Sequence, residues 1–305
     1  MDYELLASPD GAYIALNDSG IMVILDRHGD EVMRLAAPVT SFSGIGPFAW
    51  WSQDGDRYAY TRLNIADTAA PQTWIDVVDV RNGQVITHGA LKRAVLGQPS
   101  WAPDGKHLVA VGAANSNNDD APLMLIDAAT GASSMLVDRP NATKILPLWS
   151  PDGKSIAYWL PDGYTEHAGG PTLNQFGALA IADANGGNAR FLADAGSVTP
   201  SAWSPDSRQL VVTCGPDKQA SAASAPRNDV CLIDAHNGAT TLLTNDGTSG
   251  AAQFSPDGRS VAYLTDADGT GSSALKVVDI RTHAIRSVAT GVPVGGFTWL
   301  PGPRK

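Results

Sequence analysis

Short apolar segments and polar turn residues alternate along the whole chain at intervals typical of β-strands. Segments such as residues 13–16 (YIAL), 108–111 (LVAV) and 156–159 (IAYW) are rich in β-branched and aromatic residues, and Gly, Asn, Asp or Pro follows each within a few residues. No segment of 11 or more residues has a helical period. The pattern therefore predicts an all-β chain of short antiparallel strands.

A six-residue phrase recurs through this pattern. Its copies read LASPDG, WWSQDG, SWAPDG, LWSPDG, AWSPDS and QFSPDG, at residues 6–11, 50–55, 100–105, 148–153, 202–207 and 253–258. The aspartates of successive copies are 44, 50, 48, 54 and 51 residues apart. A period of about 50 residues indicates an array of one repeated unit, and each unit contains four strand segments. The sequence therefore predicts a six-bladed β-propeller in a single domain, residues 1–305. The blades are expected at residues 3–37, 46–90, 98–138, 146–194, 200–245 and 251–290.

The phrase has the composition of a tight turn between the first and second strands of each blade. Pro sets φ at one turn position, Asp suits the next, and Gly takes the left-handed conformation, which gives a type I turn with a G1 bulge. Asp is therefore interpreted as a turn residue rather than a catalyst. Ser207 stands where the other copies have Gly, and Gln53 stands in the place of Pro. We expect strain of roughly 1–2 kcal/mol if Ser207 adopts a positive φ.

One aromatic position recurs at the same offset in five of the copies. Because a ligand platform does not require repeated placement, the sequence predicts packing between blades for this position. The residues are Trp51, Trp101, Trp149, Trp203 and Phe254.

These residues resemble TolB-like propeller repeats, in which W-S-P-D-G-(K/R) is followed by an apolar strand such as I-A-Y. The segments LWSPDGKSIAY (148–158) and QFSPDGRSVAY (253–263) carry the resemblance, which extends over about residues 3–302. It implies a propeller that serves as a periplasmic interaction module, as a sensor or scaffold domain, or as the gating domain of a prolyl-oligopeptidase-like enzyme. It implies no shared catalytic residue.

A seventh copy of the first strand is suggested near the C-terminus, at residues 295–302, with Trp299 in the aromatic position. Two alternatives remain open. The segment is expected either to complete the first blade and close the ring, displacing residues 3–7, or to begin a further unit. Ring closure removes two exposed sheet edges.

Composition narrows the choice of partners. The chain has 305 residues and a formal net charge of −10, which disfavours nucleic-acid binding and docking on anionic lipid. No apolar run is long enough to predict a transmembrane helix. Residues 1–11 show no signal peptide, so the chain is expected to be cytoplasmic, or a mature or excised domain.

The two cysteines, Cys214 and Cys231, flank one predicted strand connection in the fifth blade. Neighbouring antiparallel strands bring Cα atoms within disulfide distance, so a disulfide is predicted, with two buried thiols as the alternative. A disulfide favours a periplasmic or extracellular location over the cytoplasm.

The long, varied connections between second and third strands are the expected location of a functional site, because function concentrates on loops held by a rigid scaffold. The longest, residues 161–176, is rich in groups that form hydrogen bonds, and two readings are open: a solvated surface loop, or a loop that overhangs the channel mouth and contacts a ligand or partner. The candidate residues for partner or ligand binding are Arg62, Asn64, Asn117, Asp119, Tyr164, Glu166, His167, Asn174 and Gln175.

No catalytic motif accompanies these residues. The chain has no G-x-S-x-G segment, no phosphate-binding loop and no closely spaced zinc ligands, so no cofactor and no metal are expected. The acidic segment at 266–271 resembles the start of a calcium loop, but Val277 stands where the bidentate Glu is needed. The favoured hypothesis is a non-catalytic propeller that binds a protein or peptide, with a small molecule as a further option for the ligand. The alternative is a propeller enzyme of the lactonase, lyase or hydrolase type, with its site at the channel mouth.

Overall fold

The computed structural model describes residues 4–18, 21–36, 49–64, 72–92, 99–111, 122–137, 145–161, 164–167, 170–173, 177–193, 198–215, 228–266, 273–292, 297 and 299. These residues form 26 β-strands, and none of them lies in a helix. The chain divides into two compact units, residues 1–149 with 297–305 and residues 150–296.

The first unit holds three complete sheets and the first strand of a fourth. Its strands in chain order are β1 (Glu4–Ala7), β2 (Tyr13–Asp18), β3 (Ile21–Asp26), β4 (Glu31–Ala36), β5 (Ala49–Trp51), β6 (Arg57–Asn64), β7 (Gln72–Asp79), β8 (Gln84–Lys92), β9 (Ser100–Trp101), β10 (His107–Val111), β11 (Leu123–Asp127), β12 (Ser133–Val137) and β13 (Ile145–Trp149).

The second unit holds the rest of the fourth sheet and two further sheets. Its strands are β14 (Ser155–Pro161), β15 (Tyr164–His167), β16 (Gly170–Leu173), β17 (Gly177–Asp183), β18 (Arg190–Ala193), β19 (Val198–Trp203), β20 (Gln209–Cys214), β21 (Asp229–Asp234), β22 (Thr240–Leu242), β23 (Ser249–Phe254), β24 (Ser260–Thr265), β25 (Ser273–Asp279) and β26 (Ile285–Val292).

Six sheets of four antiparallel strands confirm the six-bladed β-propeller predicted from the repeat. Each sheet follows chain order, and the fourth has the order β13-β14-β17-β18 because β15 and β16 form a separate hairpin. The first sheet is complete with β1 at its edge, so residues 4–7 keep their place in it, and the role of residues 295–302 in closing the ring stays a prediction. Of the proposed closing segment, Phe297 and Trp299 are described, and neither lies in a strand.

Packing between neighbouring sheets follows the repeated aromatic position, as predicted. In the first unit, Trp51 packs in one cluster with Ile24 of the first sheet and Tyr58 of its own sheet. Trp101 packs in one cluster with buried residues of the second and third sheets. In the second unit, Phe254 packs against residues of the fifth and sixth sheets, including Leu232. Apolar side chains from the middle strands therefore bury one sheet against the next.

Candidate functional site

The two ends of the sheets differ in how their strands are joined. The connection from first to second strand has five residues in all six repeats: 8–12, 52–56, 102–106, 150–154, 204–208 and 255–259. The connection from second to third strand, at the opposite end of each sheet, ranges from two residues (19–20) to fifteen (162–176). One end is therefore uniform and the other is variable, as the sequence predicts.

At the uniform end, serine and aspartate hold each turn by the same hydrogen bonds. In five repeats the serine hydroxyl donates to the aspartate two residues later, over 2.5–2.7 Å, and accepts the backbone N–H of the residue five later, over 2.9–3.0 Å. The five serines are Ser8, Ser52, Ser150, Ser204 and Ser255. The final turn residue has a positive φ in every repeat, including 61° at Ser207. The predicted turn and the role of its aspartate are confirmed.

These contacts stabilise the ionised form of Asp206 and Asp257. The Ser204 hydroxyl holds the pKa of Asp206 below its ordinary value, and the Ser255 hydroxyl does the same for Asp257. An aspartate whose anion is already hydrogen-bonded is a poor proton donor near neutral pH. The turn aspartates are therefore structural.

The third repeat reaches the same result with different residues. Ala102 occupies the serine position, and the His107 ring nitrogen Nδ1 lies 2.7 Å from Asp104 Oδ2. Together with the backbone N–H of Lys106, this contact lowers the pKa of Asp104 although partial burial opposes it. His107 therefore takes the place of the missing hydroxyl beside the turn aspartate.

Turns of neighbouring sheets also contact each other at this end. A Cβ at Gly55 would lie 2.6 Å from Asp10 Oδ1 of the preceding turn. The position therefore favours glycine because there is no room for a side chain and because φ is positive. In the second unit, Ser207 takes the glycine position, and its hydroxyl accepts the backbone N–H of Asp152 over 3.0 Å. At the uniform end, neighbouring turns therefore pack against each other within each unit.

At the variable end, the predicted site residues fall into two groups. Arg62 and Asn64 lie in β6, and Tyr164, Glu166 and His167 lie in β15. The other four, Asn117, Asp119, Asn174 and Gln175, lie outside the described residues. The structure therefore places five of the nine on strands, and their grouping into one site stays a prediction.

The segment at 161–176, expected to be a loop, contains the hairpin of β15 and β16. Tyr164 pairs with Leu173, and His167 pairs with Gly170 at the closed end. Only Ala168 and Gly169 separate the two strands, and two-residue connections with glycine favour hairpins. The expectation of a loop was wrong because the short alternating segment YTEH forms a local antiparallel ladder.

The disulfide between Cys214 and Cys231 is confirmed, with a Cα–Cα distance of 5.9 Å. Cys214 lies opposite Asp229 and Cys231 lies opposite Val212, so the bond joins neighbouring strands diagonally. It closes the long connection between β20 and β21 of the fifth sheet. This variable connection is therefore covalently anchored at its base.

One crossing at the variable end, between the fifth and sixth sheets, is described throughout. Asp246 accepts hydrogen bonds from the hydroxyls of Ser249 and Thr265, and Asp229 accepts the backbone N–H of Gly247. Partial burial acts to raise the pKa of Asp246, but the hydrogen bonds from Ser249 and Thr265 help to bring it below its ordinary value. Burial, assisted by the Asp246 carboxylate, raises the pKa of Tyr263 to about 12. These groups fix the crossing, and the sequence offered no repeated motif that would have identified them.

A pocket of about 480 Å³ lies at the uniform end between the fourth and fifth sheets. Ser155, Trp203 and Ser207 line it together with charged side chains from both sheets, Asp183, Arg190, Arg208 and Asp234. Arg190 donates to the backbone carbonyls of Ala235 and His236 over 2.9 and 3.1 Å. The sequence analysis missed this pocket because it placed the candidate site at the variable end of the sheets.

Within the described part of the chain, no three His, Cys, Asp or Glu side chains are grouped closely enough to hold a metal ion. The described residues also contain no helix long and apolar enough to cross a membrane.

Comparison with known proteins places this geometry in context. The family model described as TolB beta propeller domain matches residues 45–290. The chain is similar to the uncharacterized peptidase YuxL of Bacillus subtilis (strain 168), with 32% identity over 109 residues, and the match covers 35% of this chain. It spans only 16% of the length of that curated relative.

Solved structures of several activities share the fold. Oligogalacturonate lyase from Vibrio parahaemolyticus superposes with a TM-score of 0.66 at 14% identity, over 94% of this chain and 76% of that one. The β-propeller domain of the Trilobed protease from Pyrococcus furiosus has a TM-score of 0.62 at 15% identity, over 94% and 83%. Kuenenia stuttgartiensis hydrazine synthase has a TM-score of 0.60 at 16% identity, over 89% and 75%. At such identities the likeness shows the fold alone.

Proposed function

This chain belongs to the TolB beta propeller domain family, and we propose from that premise that it is a non-catalytic binding domain. It binds a protein or peptide through the variable ends of its sheets, as a scaffold or sensor domain. The observation that carries the proposal is the contrast between six connections of five residues at one end and connections of two to fifteen residues at the other. Rigid ladders with variable connections at one end are the usual arrangement of a binding surface.

The β15–β16 hairpin is the element proposed to make the main contact. Both strands pair only with each other within the described residues, so each has an edge on which backbone N–H and C=O groups are available. An extended peptide can add to such an edge through main-chain hydrogen bonds. Tyr164, Glu166 and His167 are carried by this hairpin and would supply the side-chain specificity.

The test is to shorten this connection without disturbing its sheet. Pro161 and Gly177 pair directly across β14 and β17, so a two-residue Asn-Gly turn can replace residues 162–176. The first repeat provides the precedent, since Asp18 and Ile21 pair across the two-residue connection 19–20. Affinity capture from the native extract is then compared for the parent and the shortened protein, with partners identified by mass spectrometry.

A matched control alters the other end. Ser207→Gly changes a turn residue at the uniform end and leaves the hairpin intact, so it should capture the same partner as the parent protein. We expect the shortened protein to lose that partner while its unfolding midpoint stays close to that of the parent. Equal capture by the shortened protein would exclude the hairpin as the contact.

An extracytoplasmic location is part of the proposal, supported by the Cys214–Cys231 disulfide. Mass measurement of protein isolated from its native compartment, alkylated with and without reductant, tests this point. Two alkylated thiols in the unreduced sample would contradict it.

The enzyme alternative draws on fold likeness to proteins such as oligogalacturonate lyase, which is too distant to transfer an activity. Within the described residues, the aspartates with lowered pKa are engaged in turns or in the crossing at residues 243–248. No specific observation therefore favours this alternative.

A further inference from the structure

The pocket between the fourth and fifth sheets is lined by charges of both signs. Its lining includes the carboxylates of Asp183 and Asp234 and the guanidinium groups of Arg190 and Arg208. Within the described part of the chain, none of these four side chains forms an ion pair with another. A ligand in this pocket would therefore meet both cations and anions.

Each of the two carboxylates is held through one of its oxygens. Asp183 Oδ2 accepts a hydrogen bond from the Asn188 side-chain amide over 2.6 Å, and Asp234 Oδ1 accepts the backbone N–H groups of His236 and Asn237 over 2.9 and 3.0 Å. These backbone bonds hold the pKa of Asp234 below its ordinary value. The other two oxygens, Asp183 Oδ1 and Asp234 Oδ2, accept no hydrogen bond within the described residues, so each can accept one from an ammonium group.

The two guanidinium groups also keep donors for a ligand. Arg190 Nη2 donates to the carbonyl oxygens of Ala235 and His236 in the next sheet, which leaves Nε and Nη1 without an acceptor among the described residues. The guanidinium of Arg208, in the turn between β19 and β20, donates no hydrogen bond to the described residues. Both groups can therefore bind a carboxylate through charge-assisted hydrogen bonds.

The backbone around the pocket departs from the other repeats. The connection between β17 and β18, residues 184–189, has six residues, whereas the corresponding connections of the other five sheets have four or five. This connection carries Asn188, whose φ is 52°, and Ser207 across the pocket has a φ of 61°. They are two of the five non-glycine residues with positive φ in the described part of the chain. Strained backbone of this kind is concentrated at binding sites, so the local geometry also favours a ligand here.

The arrangement of charges selects among ligands. An anion would meet both carboxylates, a cation would meet both guanidinium groups, and a neutral molecule would gain from neither, whereas a small zwitterion can place each of its charges beside the opposite one. The lining also contains apolar residues, Ile181 and Ala182, against which an apolar side chain can pack. A volume of about 480 Å³ is in the range of pockets that hold small molecules.

We propose that this pocket binds an α-amino acid in its zwitterionic form. The guanidinium groups of Arg190 and Arg208 bind its carboxylate, and Asp183 and Asp234 bind its ammonium group. The site is separate from the β15–β16 hairpin of the proposed function, because its residues lie at the opposite end of the sheets.

The test compares L-leucine with three derivatives that lack one or both charges. N-acetyl-L-leucine keeps only the carboxylate, L-leucinamide keeps only the ammonium group, and N-acetyl-L-leucinamide keeps neither. In the ¹⁵N-labelled full chain, we expect L-leucine to cause saturable shifts of the backbone amide signals of Asn188 and Arg208, with a dissociation constant of about 1 mM. The three derivatives should bind at least about tenfold more weakly. The absence of saturable shifts, or equal binding of any derivative, would overturn the proposal.

Removing one cation provides the second arm. Arg208→Gln should weaken L-leucine binding about fivefold or more, because the ligand carboxylate loses a charged partner. Arg259→Gln is the matched control: the backbone N–H groups of Arg208 and Arg259 donate to the aspartates of equivalent turns, and Arg259 does not line the pocket. The control should bind L-leucine as the parent protein does. Parent-like affinity in Arg208→Gln would refute the proposed location.

Removing one anion tests the other half of the site. Asp183→Asn keeps an oxygen that can accept the Asn188 amide and removes the charge, so it should weaken the binding of L-leucine and leave that of N-acetyl-L-leucine, which has no ammonium group, undiminished. Equal weakening of both compounds would show a structural effect and contradict the assignment. The protein with residues 162–176 shortened should bind L-leucine as the parent protein does, so failure of the hairpin proposal and failure of this one are separate results.

Discussion

Ser207 offers a sharp test of how the turn at the uniform end is stabilised. It is the only non-glycine residue at the last turn position among the six copies of the phrase, and its φ is 61°. Its hydroxyl accepts the Asp152 N–H from the neighbouring turn over 3.0 Å. Two substitutions separate these effects: Ser207→Ala removes the hydroxyl and keeps the strain, and Ser207→Gly removes both.

The expected changes in the free energy of unfolding follow from these contacts. Losing the hydrogen bond costs about 0.5–1.5 kcal/mol, so Ser207→Ala should be destabilised by roughly 1 kcal/mol. Ser207→Gly loses the same bond and gains entropy in the unfolded chain, which costs a further ~0.5–1 kcal/mol. Relief of strain returns about 1–2 kcal/mol, so Ser207→Gly should match the parent within about 1 kcal/mol.

Urea unfolding followed by tryptophan fluorescence measures the difference, with the shift in midpoint multiplied by a shared slope. The order of stability should be parent and Ser207→Gly together, with Ser207→Ala below them. If the alanine variant is more stable than the glycine variant, the left-handed backbone at residue 207 is not strained and the reasoning fails. If the alanine variant equals the parent, the hydrogen bond to Asp152 contributes nothing measurable.

Three further predictions concern other parts of the fold. The Cys214–Cys231 disulfide spans 17 residues, and its reduction should lower the free energy of unfolding by about 3 kcal/mol. Urea unfolding with and without reductant measures this change, and an unchanged unfolding midpoint would contradict the prediction. Gly177→Ala should lower the free energy of unfolding by about 1–3 kcal/mol, because the added Cβ would collide with the Trp159 indole and lie 2.5 Å from the Leu160 carbonyl oxygen. Gly250→Ala is the control: the nearest atom to its added Cβ is 3.6 Å away, so its stability should change by less than about 1 kcal/mol. Similar losses of stability in both variants would reject the steric argument. The turn aspartates Asp206 and Asp257 have lowered pKa values in the folded state, so their stabilisation is complete above the unfolded pKa of about 3.9 and is lost as the pH falls through their folded values. The urea midpoint should therefore decrease as the pH is lowered below about 4, and an increase there would show that the sign is wrong.

Several features were predictable because they depend on residues close together in sequence. The turn phrase forms hydrogen bonds over two and five residues, so Ser204, Asp206 and Ser207 define their turn locally. The disulfide was predictable because Cys214 and Cys231 flank one connection between paired strands. The β15–β16 hairpin was missed although it is also local, because its strands are only four residues long and lie within a polar segment.

Other features depend on contacts between sheets. The role of His107 as a substitute for the turn serine required its position beside Asp104, and the Asp246 crossing joins residues from two sheets. The grouping of the candidate residues at the variable end is also a question of how separate connections meet, and no local pattern answers it. Sequence reasoning therefore located the variable end and could not assemble a site there.

The class of fold, the number of blades, the turn at one end of each sheet and the pairing of the cysteines were all predictable from the amino-acid sequence. This was possible because strand periodicity, turn chemistry and a regular repeat are properties of neighbouring residues. Contacts between sheets became visible only in the folded chain: the Tyr13 ring stacks on Trp51, and Ser155 and Trp203 line a pocket between the fourth and fifth sheets. These contacts join residues from different repeats, so no local sequence pattern reveals them.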